Sequence, residues 1–430
     1  MKKTLTDQKT SQGVLAVDLD GTLLRSDMLF ESFWSALGRD WLSTLKAVRQ
    51  LDGGPARLKR ALSEVADVDV SMLPYDAEVV EYIKTWRANG GRTALVTATD
   101  QIIADEIAAH LGVFDEVHGS DGSLNLKGSE KARFLSEGFG EGGFAYMGDA
   151  EADMPVWEQA SHVITVNAPR KLRDSAAALD EEVEHLGAES TPIGSYVRAL
   201  RPHQWMKNLL VFLPMLAAHQ FTAVTLVQCI LAFVAFSAVA SSVYVINDLL
   251  DLAADRAHPR KRKRPFAAGE IPIAHGTWLA GGLLVLGTLI SLLLGPSFLF
   301  FMVVYFATTT AYSLALKRRV IIDICTLAIL YTLRIVAGGA ATGISLSVWL
   351  LAFSIFIFLS LAAVKRQAEL VDFEKRGKLN VSGRGYQTED LPVISMMAIS
   401  SGYVSVLVLA LYVNSSTVAD LYSLPGALWG

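Results

Sequence analysis

The sequence Val245-Ile-Asn-Asp-Leu-Leu-Asp-Leu-Ala-Ala-Asp-Arg-Ala-His-Pro-Arg-Lys-Arg-Lys-Arg-Pro-Phe-Ala-Ala-Gly269 joins a long apolar run to a block of basic residues. A helix that continues the apolar run would carry a polar end formed by Asn247, Asp248, Asp251 and Asp255. At 100° per residue, these side chains fall within an arc of roughly 100° on one helical face. Three carboxylates and an amide oxygen on one face are typical of a site for a hard cation such as Mg²⁺.

Five consecutive basic residues, Arg260 to Arg264, follow this acidic segment. Mg²⁺ that is bound by one or two carboxylates usually leaves part of its coordination to the phosphates of a substrate. Lys261 and Arg264 would then hold the remaining phosphate charge, so the segment predicts a diphosphate substrate. The alternative is that the acids only solvate a helix end and that the basic residues only set membrane topology.

The two halves of the chain differ in charge and hydropathy. Of the 430 residues, 52% are hydrophobic, which is high for a soluble enzyme and indicates membrane spans. Residues 1–196 carry a net charge of −13 and residues 197–430 a net charge of +8. We therefore expect a soluble domain at 1–185, a linker at 186–196 and a membrane domain at 197–430. Cys229 and Cys325 lie inside apolar runs and form no disulfide or metal pattern.

An aspartate pair follows the first apolar strand of the soluble half. Gly13 to Val17 predicts a short buried strand, and Asp18 and Asp20 come directly after it, before a Gly-Thr turn. An aspartate nucleophile beside a second carboxyl group that transfers the proton has this arrangement. The pair therefore predicts a phosphoryl-transfer or related nucleophilic site.

Three later segments extend this pattern, in an order that resembles the haloacid dehalogenase-like phosphohydrolases. The strand Thr93–Val96 leads to Thr97, a predicted helix begins at Lys131, and the strand Phe144–Met147 leads to Asp149. The resemblance covers residues 11–185 and implies an α/β Rossmann-like domain. The mostly helical residues between 24 and 90 would form a small cap over its site.

The resemblance also implies roles for the motif residues. Asp18 would be the phosphorylated nucleophile and Asp20 the general acid and base. Thr97 and Lys131 would hold the phosphoryl oxygens, with Lys127 as an alternative to Lys131, because the transferred group carries spread negative charge. The implied Mg²⁺ ligands are Asp18, Asp20 and Asp149, with Asp153 as a further candidate. The alternative is a degenerate domain that regulates without catalysis.

Seven apolar stretches in the second half are long enough, or nearly so, to span a bilayer. They are about 208–222, 225–246, 276–295, 297–316, 320–343, 346–364 and 391–413. Basic residues concentrate in the loops after the second, fourth and sixth stretch. The positive-inside rule places those loops and the soluble half on the cytoplasmic side, and the N-terminus lacks the apolar segment of a secretory signal.

The fifth stretch contains two charged residues, Asp323 and Arg334. Their spacing is about three helical turns, so both lie on one face, with Arg334 about 16 Å deeper. A charge at that depth is costly unless it is paired or solvated, so the two residues predict a buried polar pocket that Lys317 and Tyr331 would complete. The alternative is an intramembrane ion pair without a ligand.

Together these residues resemble the UbiA-type membrane prenyltransferase superfamily. Asn247-Asp248-x-x-Asp251-x-x-x-Asp255, with Asp323 in a later helix, corresponds to the two acidic motifs that hold Mg²⁺ on a diphosphate, although the second motif here has a single acid. Four further segments resemble the decaprenyl-phosphate phosphoribosyltransferase branch. They are Arg201-Pro-x-Gln204-Trp205-x-Lys207-Asn208, His258-Pro259-x-Lys261-Arg262-x-Arg264-Pro265, Leu316-Lys317 and Leu333-Arg334. The resemblance covers residues 197–413 and implies an all-α polytopic membrane bundle.

The branch implies an Mg²⁺-dependent transfer of phosphoribose from phosphoribosyl pyrophosphate to a polyprenyl phosphate, whose product the fused phosphatase would dephosphorylate. The implied metal ligands are Asn247, Asp248, Asp251, Asp255 and Asp323, of which Asp251, Asp255 and Asp323 would also act in catalysis. The implied substrate-binding residues are Lys207, Asn208, Lys261, Arg264, Lys317, Tyr331 and Arg334. Two alternatives stay open: a prenyl diphosphate donor with an aromatic or other small acceptor, and a lipid-binding scaffold without catalysis. No nucleic-acid partner is expected.

Overall fold

The structure, a computed structural model, describes residues 13–121, 124–180, 182–187, 193–375 and 385–414. The chain divides into two compact units, one of residues 1–199 with 245–278 and one of residues 200–244 with 279–430. The acidic motif therefore groups with the soluble half, which differs from the expected division at residue 197. The predicted linker at 186–196 lies partly outside the described residues.

The first unit is built on a parallel sheet. Its strands within the described residues are β1 (Val14–Val17), β2 (Arg92–Asp100), β3 (Glu116–Ser120), β4 (Phe144–Gly148), β5 (His162–Val166) and β6 (Glu184–Leu186). Their order is β3-β2-β1-β4-β5-β6, and every adjacent pair is parallel. The central strands β1 and β4 are buried along their whole length, as helix-covered parallel strands must be. The predicted α/β fold is confirmed.

Helices cover both faces of this sheet. The helices of this part of the chain are α1 (Met28–Arg39), α2 (Trp41–Val48), α3 (Pro55–Val65), α4 (Ala77–Ala88), α5 (Gln101–Leu111), α6 (Ser129–Phe139), α7 (Met154–Trp157), α8 (Arg170–Ala177) and α9 (Ile193–Leu200), of which α4 to α8 pack on the sheet. Alternate residues of β1 enter two apolar cores, Leu15 with α4 and α5 on one face and Ala16 with α6 to α8 on the other. Helices α1 to α3 share a small apolar cluster of their own, which confirms the helical cap.

The second half of the chain is helical. Its helices are α10 (Leu213–Ala217), α11 (Ala223–Leu250), α12 (Leu252–Ala257), α13 (Ile273–Leu294), α14 (Pro296–Leu314), α15 (Ile322–Thr342), α16 (Val348–Lys375) and α17 (Leu391–Val413). Among the described residues, six helical segments are long and apolar enough to cross a membrane: α11, α13, α14, α15, α16 and the segment 388–413 that contains α17. The predicted all-α membrane bundle is confirmed, with α11 and α15 as its most buried members.

The first predicted span, 208–222, is not one of these six segments. Residues Pro202–Phe212 form a 3₁₀-helix, and Pro214, which has no backbone N–H, stands at the start of the five-residue α10. The 3₁₀ segment packs backbone to backbone on α15. A Cβ atom at Gly338 would lie 2.2 Å from the Val211 carbonyl oxygen, so only glycine permits this approach.

Candidate active sites

Asp18 lies at the carboxyl end of β1 beside a buried lysine. Its Oδ1 accepts the backbone N–H of Leu19 at 2.8 Å and lies 2.9 Å from the Nζ of Lys131, which in turn donates to the Tyr146 hydroxyl at 2.8 Å. Burial raises the pKa of Asp18 to about 6, although the charge of Lys131 acts in the opposite direction. Lys127, the alternative to Lys131, forms no ion pair with a described residue. The structure thus places Lys131 beside the predicted nucleophile.

Asp20 is held by two hydrogen bonds that differ from those of Asp18. It accepts the Met28 backbone N–H at 2.7 Å and the Thr99 hydroxyl at 2.8 Å. Burial, with a further contribution from the charge of Asp27, raises its pKa to about 6, which suits a group that exchanges protons near neutral pH. Sequence reasoning missed Thr99. The sequence could have indicated Thr99 because it stands two residues after the predicted site residue Thr97. The Thr97 Oγ1 accepts the Thr99 N–H at 3.0 Å.

Three carboxylates form a candidate metal site at the ends of β1 and β4. Oxygens of Asp18, Asp149 and Asp153 lie within 4.8 Å of one another. Burial and the charges of Asp18 and Asp153 raise the pKa of Asp149 well above its ordinary value. A divalent cation with a preference for oxygen ligands would relieve this repulsion, so the donor set fits Mg²⁺. This cluster contains Asp153, a further candidate from the sequence, and not Asp20, which the sequence predicted as a ligand.

The turn after Asp20 keeps the space around Asp149 open. Gly21 has a φ of +81°, and a Cβ atom there would lie 2.1 Å from Asp149 Oδ2. The Thr22 hydroxyl donates to Asp149 Oδ1 at 3.1 Å. The Gly-Thr pair therefore has two functions, since glycine permits the close approach and threonine orients the carboxylate.

The cap contributes Lys59, which sequence reasoning also missed. This residue of α3 donates from Nζ to the Ala98 carbonyl oxygen at 2.6 Å, one residue after Thr97. Burial lowers the pKa of Lys59, although the charge of Asp20 acts in the opposite direction. The cap thus brings a cation to the rim of the phosphoryl site.

The acidic motif does not lie on one continuous helix, so this prediction is wrong. Helix α11 ends at Leu250, and Asp251, with φ −98° and ψ 12°, is the N-cap residue of α12. Asp248 and Asp255 are buried, Asn247 is half-buried and Asp251 is exposed. The interruption is confined to Asp251, because the Asp251 N–H still donates to the Asn247 carbonyl oxygen and the Asp255 N–H to that of Asp251.

Arg264 joins the two buried acids of this motif. Its Nη1 lies 3.0 Å from Asp248 Oδ1 and 2.6 Å from Asp255 Oδ2, and the Lys261 Nζ lies 3.6 Å from Asp255 Oδ1. The structure thus brings predicted metal ligands and predicted phosphate-binding residues together. Asp255 Oδ1 is buried and makes no hydrogen bond among the described residues. A buried carboxylate oxygen without a hydrogen bond is a suitable cation ligand. Asp255 and Asp251 together therefore offer carboxylate oxygens of the kind that Mg²⁺ binds.

Asp323, in the second unit, forms an ion pair with Arg366 of a neighbouring helix. Its Oδ2 lies 2.7 Å from the Nε of Arg366 on α16, and its Oδ1 accepts the Tyr312 hydroxyl at 2.7 Å. Asp323 and Arg366 are both 0% exposed. The pair forms with Arg366 and not with Arg334, and the predicted role of Asp323 as a metal ligand would require Arg366 to move. Lys317 lies in the short 3₁₀ connection between α14 and α15.

Arg334 occupies a buried pocket of neutral groups. Its Nε donates to Asn208 Oδ1 at 2.9 Å, its Nη2 donates to the Tyr305 hydroxyl at 3.1 Å, and its Nη1 donates to the Leu330 carbonyl oxygen. The guanidinium carbon lies 4.9 Å from the ring centre of Tyr305 and 5.7 Å from that of Tyr331. Asn208 and Tyr331, which were both predicted as substrate-binding residues, therefore lie beside the guanidinium group of Arg334.

Two lysines add positive charge near Arg334. The positive charges of Lys365 and Arg334 act on the Lys207 ammonium group. Lys207 donates to the Gln204 side-chain oxygen at 2.5 Å. In the part of the chain that the structure describes, Lys207, Lys365 and Arg334 form no ion pair with a carboxylate. Adjacent cations without a counter-ion favour an anionic ligand. Sequence reasoning missed Lys365, because helix packing alone brings it to Lys207.

Comparison with known proteins gives two family matches. Residues 208–430 match the UbiA prenyltransferase family, and residues 15–158 match the haloacid dehalogenase-like hydrolases. Protein y4nM of Sinorhizobium fredii is 39% identical over 420 residues, which cover 96% of this chain and 81% of the relative. The nodulation protein NoeC of Azorhizobium caulinodans is 37% identical over 54% of this chain and 76% of its own. The decaprenyl-phosphate phosphoribosyltransferase of Mycolicibacterium smegmatis is 39% identical over 49% of this chain and 70% of its own.

Proposed function

Because this chain belongs to the UbiA prenyltransferase family and carries a haloacid dehalogenase-like domain in its N-terminal part, we propose that it couples a membrane transfer reaction to a phosphatase reaction. The transferase moves phosphoribose from phosphoribosyl pyrophosphate to a polyprenyl phosphate. The phosphatase then removes the 5-phosphate of the ribose from the lipid-linked product. A relative that is named as a decaprenyl-phosphate phosphoribosyltransferase supports this choice of donor and acceptor.

The cation cluster of Lys207, Lys365 and Arg334 is the observation that carries the choice of acceptor. A neutral acceptor needs no positive charge beside it, whereas a lipid phosphate brings the anion that the buried Arg334, the half-buried Lys207 and the exposed Lys365 lack. Asn208 and Tyr305 fix the guanidinium group of Arg334, so that it can present its remaining N–H groups in a set orientation. The pocket therefore favours a phosphate-bearing lipid.

The acidic motif is the proposed donor site. Mg²⁺, when bound there, would neutralise the pyrophosphate leaving group. Asp248, Asp251 and Asp255 would hold it, while Lys261 and Arg264 would contact the diphosphate oxygens. An oxygen of the acceptor phosphate attacks the anomeric carbon of the ribose, and the bond from that carbon to pyrophosphate breaks with its electron pair on pyrophosphate. The roles of Asn247, Asp323 and Lys317 stay predictions.

The second reaction uses the site at the end of β1. An oxygen of Asp18 attacks the phosphorus of the ribose 5-phosphate, and Lys131 beside it offsets the charge of the phosphoryl oxygens. Asp20 protonates the ribose oxygen as the ester bond breaks, and it then takes a proton from the water that hydrolyses the aspartyl phosphate. Since the two domains share one chain, the product has a high effective concentration at the phosphatase.

The chain is an integral membrane protein, and we propose that both sites face the cytoplasm. Basic residues fill the connections α11–α13, α14–α15 and α16–α17, which alternate with the uncharged ones. Residues 1–199 share a unit with 245–278, so both segments lie on the same side of the bilayer. Because α11 crosses the bilayer once between them, residues 200–222 have to cross it a second time. An 11-residue 3₁₀-helix rises about 22 Å and the five residues of α10 about 8 Å, which together match a hydrocarbon core of about 30 Å.

Labelling of introduced cysteines tests this orientation. A cysteine at the exposed Arg262 should react with a membrane-impermeant maleimide only in inside-out vesicles. A cysteine at Ser347, in the connection between α15 and α16, should react only in right-side-out vesicles. The reverse pattern would contradict the proposed orientation.

Product analysis tests the two reactions. Purified full-length protein with Mg²⁺, ribose-labelled phosphoribosyl pyrophosphate and decaprenyl phosphate should yield a labelled lipid. Asp251→Ala should abolish the labelled lipid, whereas the exposed matched control Asp174→Ala should retain it. Asp18→Asn should accumulate the lipid that still carries the 5-phosphate.

Each alternative predicts a different product. Transfer from a prenyl diphosphate to a small aromatic acceptor, with no ribosyl transfer, would support the prenyltransferase alternative. Absence of product with either donor would support the non-catalytic one. An equal share of phosphorylated lipid in wild type and in Asp18→Asn would remove the phosphatase step.

A further inference from the structure

Arg256 connects the proposed donor site to the phosphatase cap. It follows Asp255 directly on α12, and its guanidinium group binds Glu31 on α1 through two contacts, Nη1 to Oε2 at 3.1 Å and Nη2 to Oε1 at 2.5 Å. The Arg256 and Glu31 side chains are 7% and 4% exposed. A buried two-point arginine–carboxylate pair has one preferred geometry, so it fixes α1 on α12.

Hydrogen bonds lead from Glu31 to the acid of the phosphatase. The Ser26 hydroxyl donates to Glu31 Oε1 at 2.6 Å, and the Ser26 carbonyl oxygen accepts the Gly21 N–H at 3.1 Å. Two residues further along, the Met28 N–H donates to Asp20 Oδ1 at 2.7 Å. The Glu31 carboxylate therefore holds the loop that determines where Asp20 points.

Two further contacts join the same surfaces within this unit. The Trp34 Nε1 of α1 donates to the Thr277 hydroxyl of α13 at 2.9 Å. Gly269 has a φ of +68°, and a Cβ atom there would lie 2.9 Å from the Arg25 Cβ. The segment 256–278 thus packs closely on the loop and helix that follow the predicted nucleophile.

We infer that Arg256 is a positioning residue of the phosphatase, and hence that helix α12, which also carries Asp255 of the acidic motif, supports the phosphatase site. This inference rests on the proposed phosphatase function. Arg256 contacts Glu31 and not the substrate, and it acts through Ser26 and the Gly21–Met28 loop on Asp20. Asp20 supplies the proton to the leaving oxygen, so a displaced loop slows the step in which that proton is needed.

Two substrates with different leaving groups separate positioning from general structural damage. The p-nitrophenolate ion leaves without protonation, whereas the alkoxide of ribose 5-phosphate requires a general acid. For full-length Arg256→Gln with Mg²⁺, we expect kcat for ribose 5-phosphate to fall about 10-fold to 100-fold, within the contribution of a general acid. Hydrolysis of p-nitrophenyl phosphate and both KM values should change less than about threefold.

Two variants control this experiment. Arg256→Lys keeps the positive charge and should recover part of the lost rate. Arg39→Gln alters another arginine of α1, whose ion pair with Asp67 is exposed and 3.8 Å long, and it should behave like the wild type.

The outcomes distinguish this inference from the function on which it rests. An equal loss for both substrates, or no loss for either, would refute the positioning role of Arg256. Wild-type protein that hydrolyses neither substrate faster than Asp18→Asn would refute the proposed phosphatase function, and with it this inference.

Discussion

Replacement of Arg334 by glutamine tests the proposed acceptor site directly. The guanidinium group is buried among neutral partners, the Asn208 amide, the Tyr305 hydroxyl and the Leu330 carbonyl oxygen. Its removal therefore leaves no unpaired charge behind, and glutamine can still hydrogen-bond to one of these groups. For this reason we expect a small loss of stability, about 1–3 kcal/mol, rather than the larger loss that follows when a buried ion pair is broken.

The effect on catalysis should be specific to the lipid acceptor. A lipid phosphate that Arg334 holds would lose a charge-assisted hydrogen bond worth about 1.5–3 kcal/mol. Since about 1.4 kcal/mol corresponds to a factor of ten, kcat/KM for decaprenyl phosphate should fall about 10-fold to 100-fold. The KM for phosphoribosyl pyrophosphate should stay within about twofold of the wild-type value, because the donor site lies in the other unit.

The assay is the rate of labelled-lipid formation in detergent micelles, with decaprenyl phosphate varied at saturating donor. Arg319→Gln, at an exposed arginine of the connection between α14 and α15, is the matched control. A folded Arg334→Gln variant with an unchanged kcat/KM for the acceptor would show that the cation cluster does not bind the lipid phosphate.

Three further predictions follow from the buried charges. Asp323→Asn removes the carboxylate that binds the buried Arg366, which keeps its ion pair with Glu369, so the free energy of unfolding should fall by about 1.5–3 kcal/mol. The thermal unfolding temperature should fall by a few degrees, and an unchanged temperature would mean that the pair of Asp323 and Arg366 does not form. Lys131→Ala should lower phosphatase kcat at least about 100-fold while Lys127→Ala stays near wild type, and the reverse ranking would exchange their roles. The pKa of Asp20 is raised from 3.8 to about 6, so its contribution to stability is present below pH 3.8 and is lost as the pH rises through about 6. In magnesium-free buffer, Asp20→Asn should therefore lose less stability than the wild type between pH 4 and pH 6.5, as measured by thermal unfolding.

The phosphatase site could largely be predicted because its residues stand at strand ends. The resemblance to the haloacid dehalogenase-like hydrolases implied that Asp18 and Asp149 share one site, and the parallel pairing of β1 with β4 brings both strand ends to one edge of the sheet. The third carboxylate was less predictable. Whether Asp20 or Asp153 joins the cluster depends on the side-chain orientations that Met28 and Thr99 impose.

The membrane half shows where sequence periodicity stops being informative. The depth of Arg334 predicted a buried polar pocket, because a charge there is costly unless polar groups or water surround it. The partners themselves could not be predicted, since Lys365 and Arg366 reach α15 only through the packing of α16. Likewise, a local backbone change at Asp251 ends the helix, although the sequence on both sides favours helix.

The bridge that Arg264 makes between Asp248 and Asp255 affects both ends of a catalytic cycle. A dication bound through the oxygens that Arg264 holds, Asp248 Oδ1 and Asp255 Oδ2, would exchange one positive charge for another, whereas one bound through Asp255 Oδ1 would leave the bridge intact. In the first case part of the coordination free energy would offset the two lost ion pairs, and the apparent affinity would be lower. In the proposed transfer, the same competition would favour departure of pyrophosphate, because the guanidinium group would return to the carboxylates as the product leaves. Weaker ground-state binding of this kind would limit product inhibition.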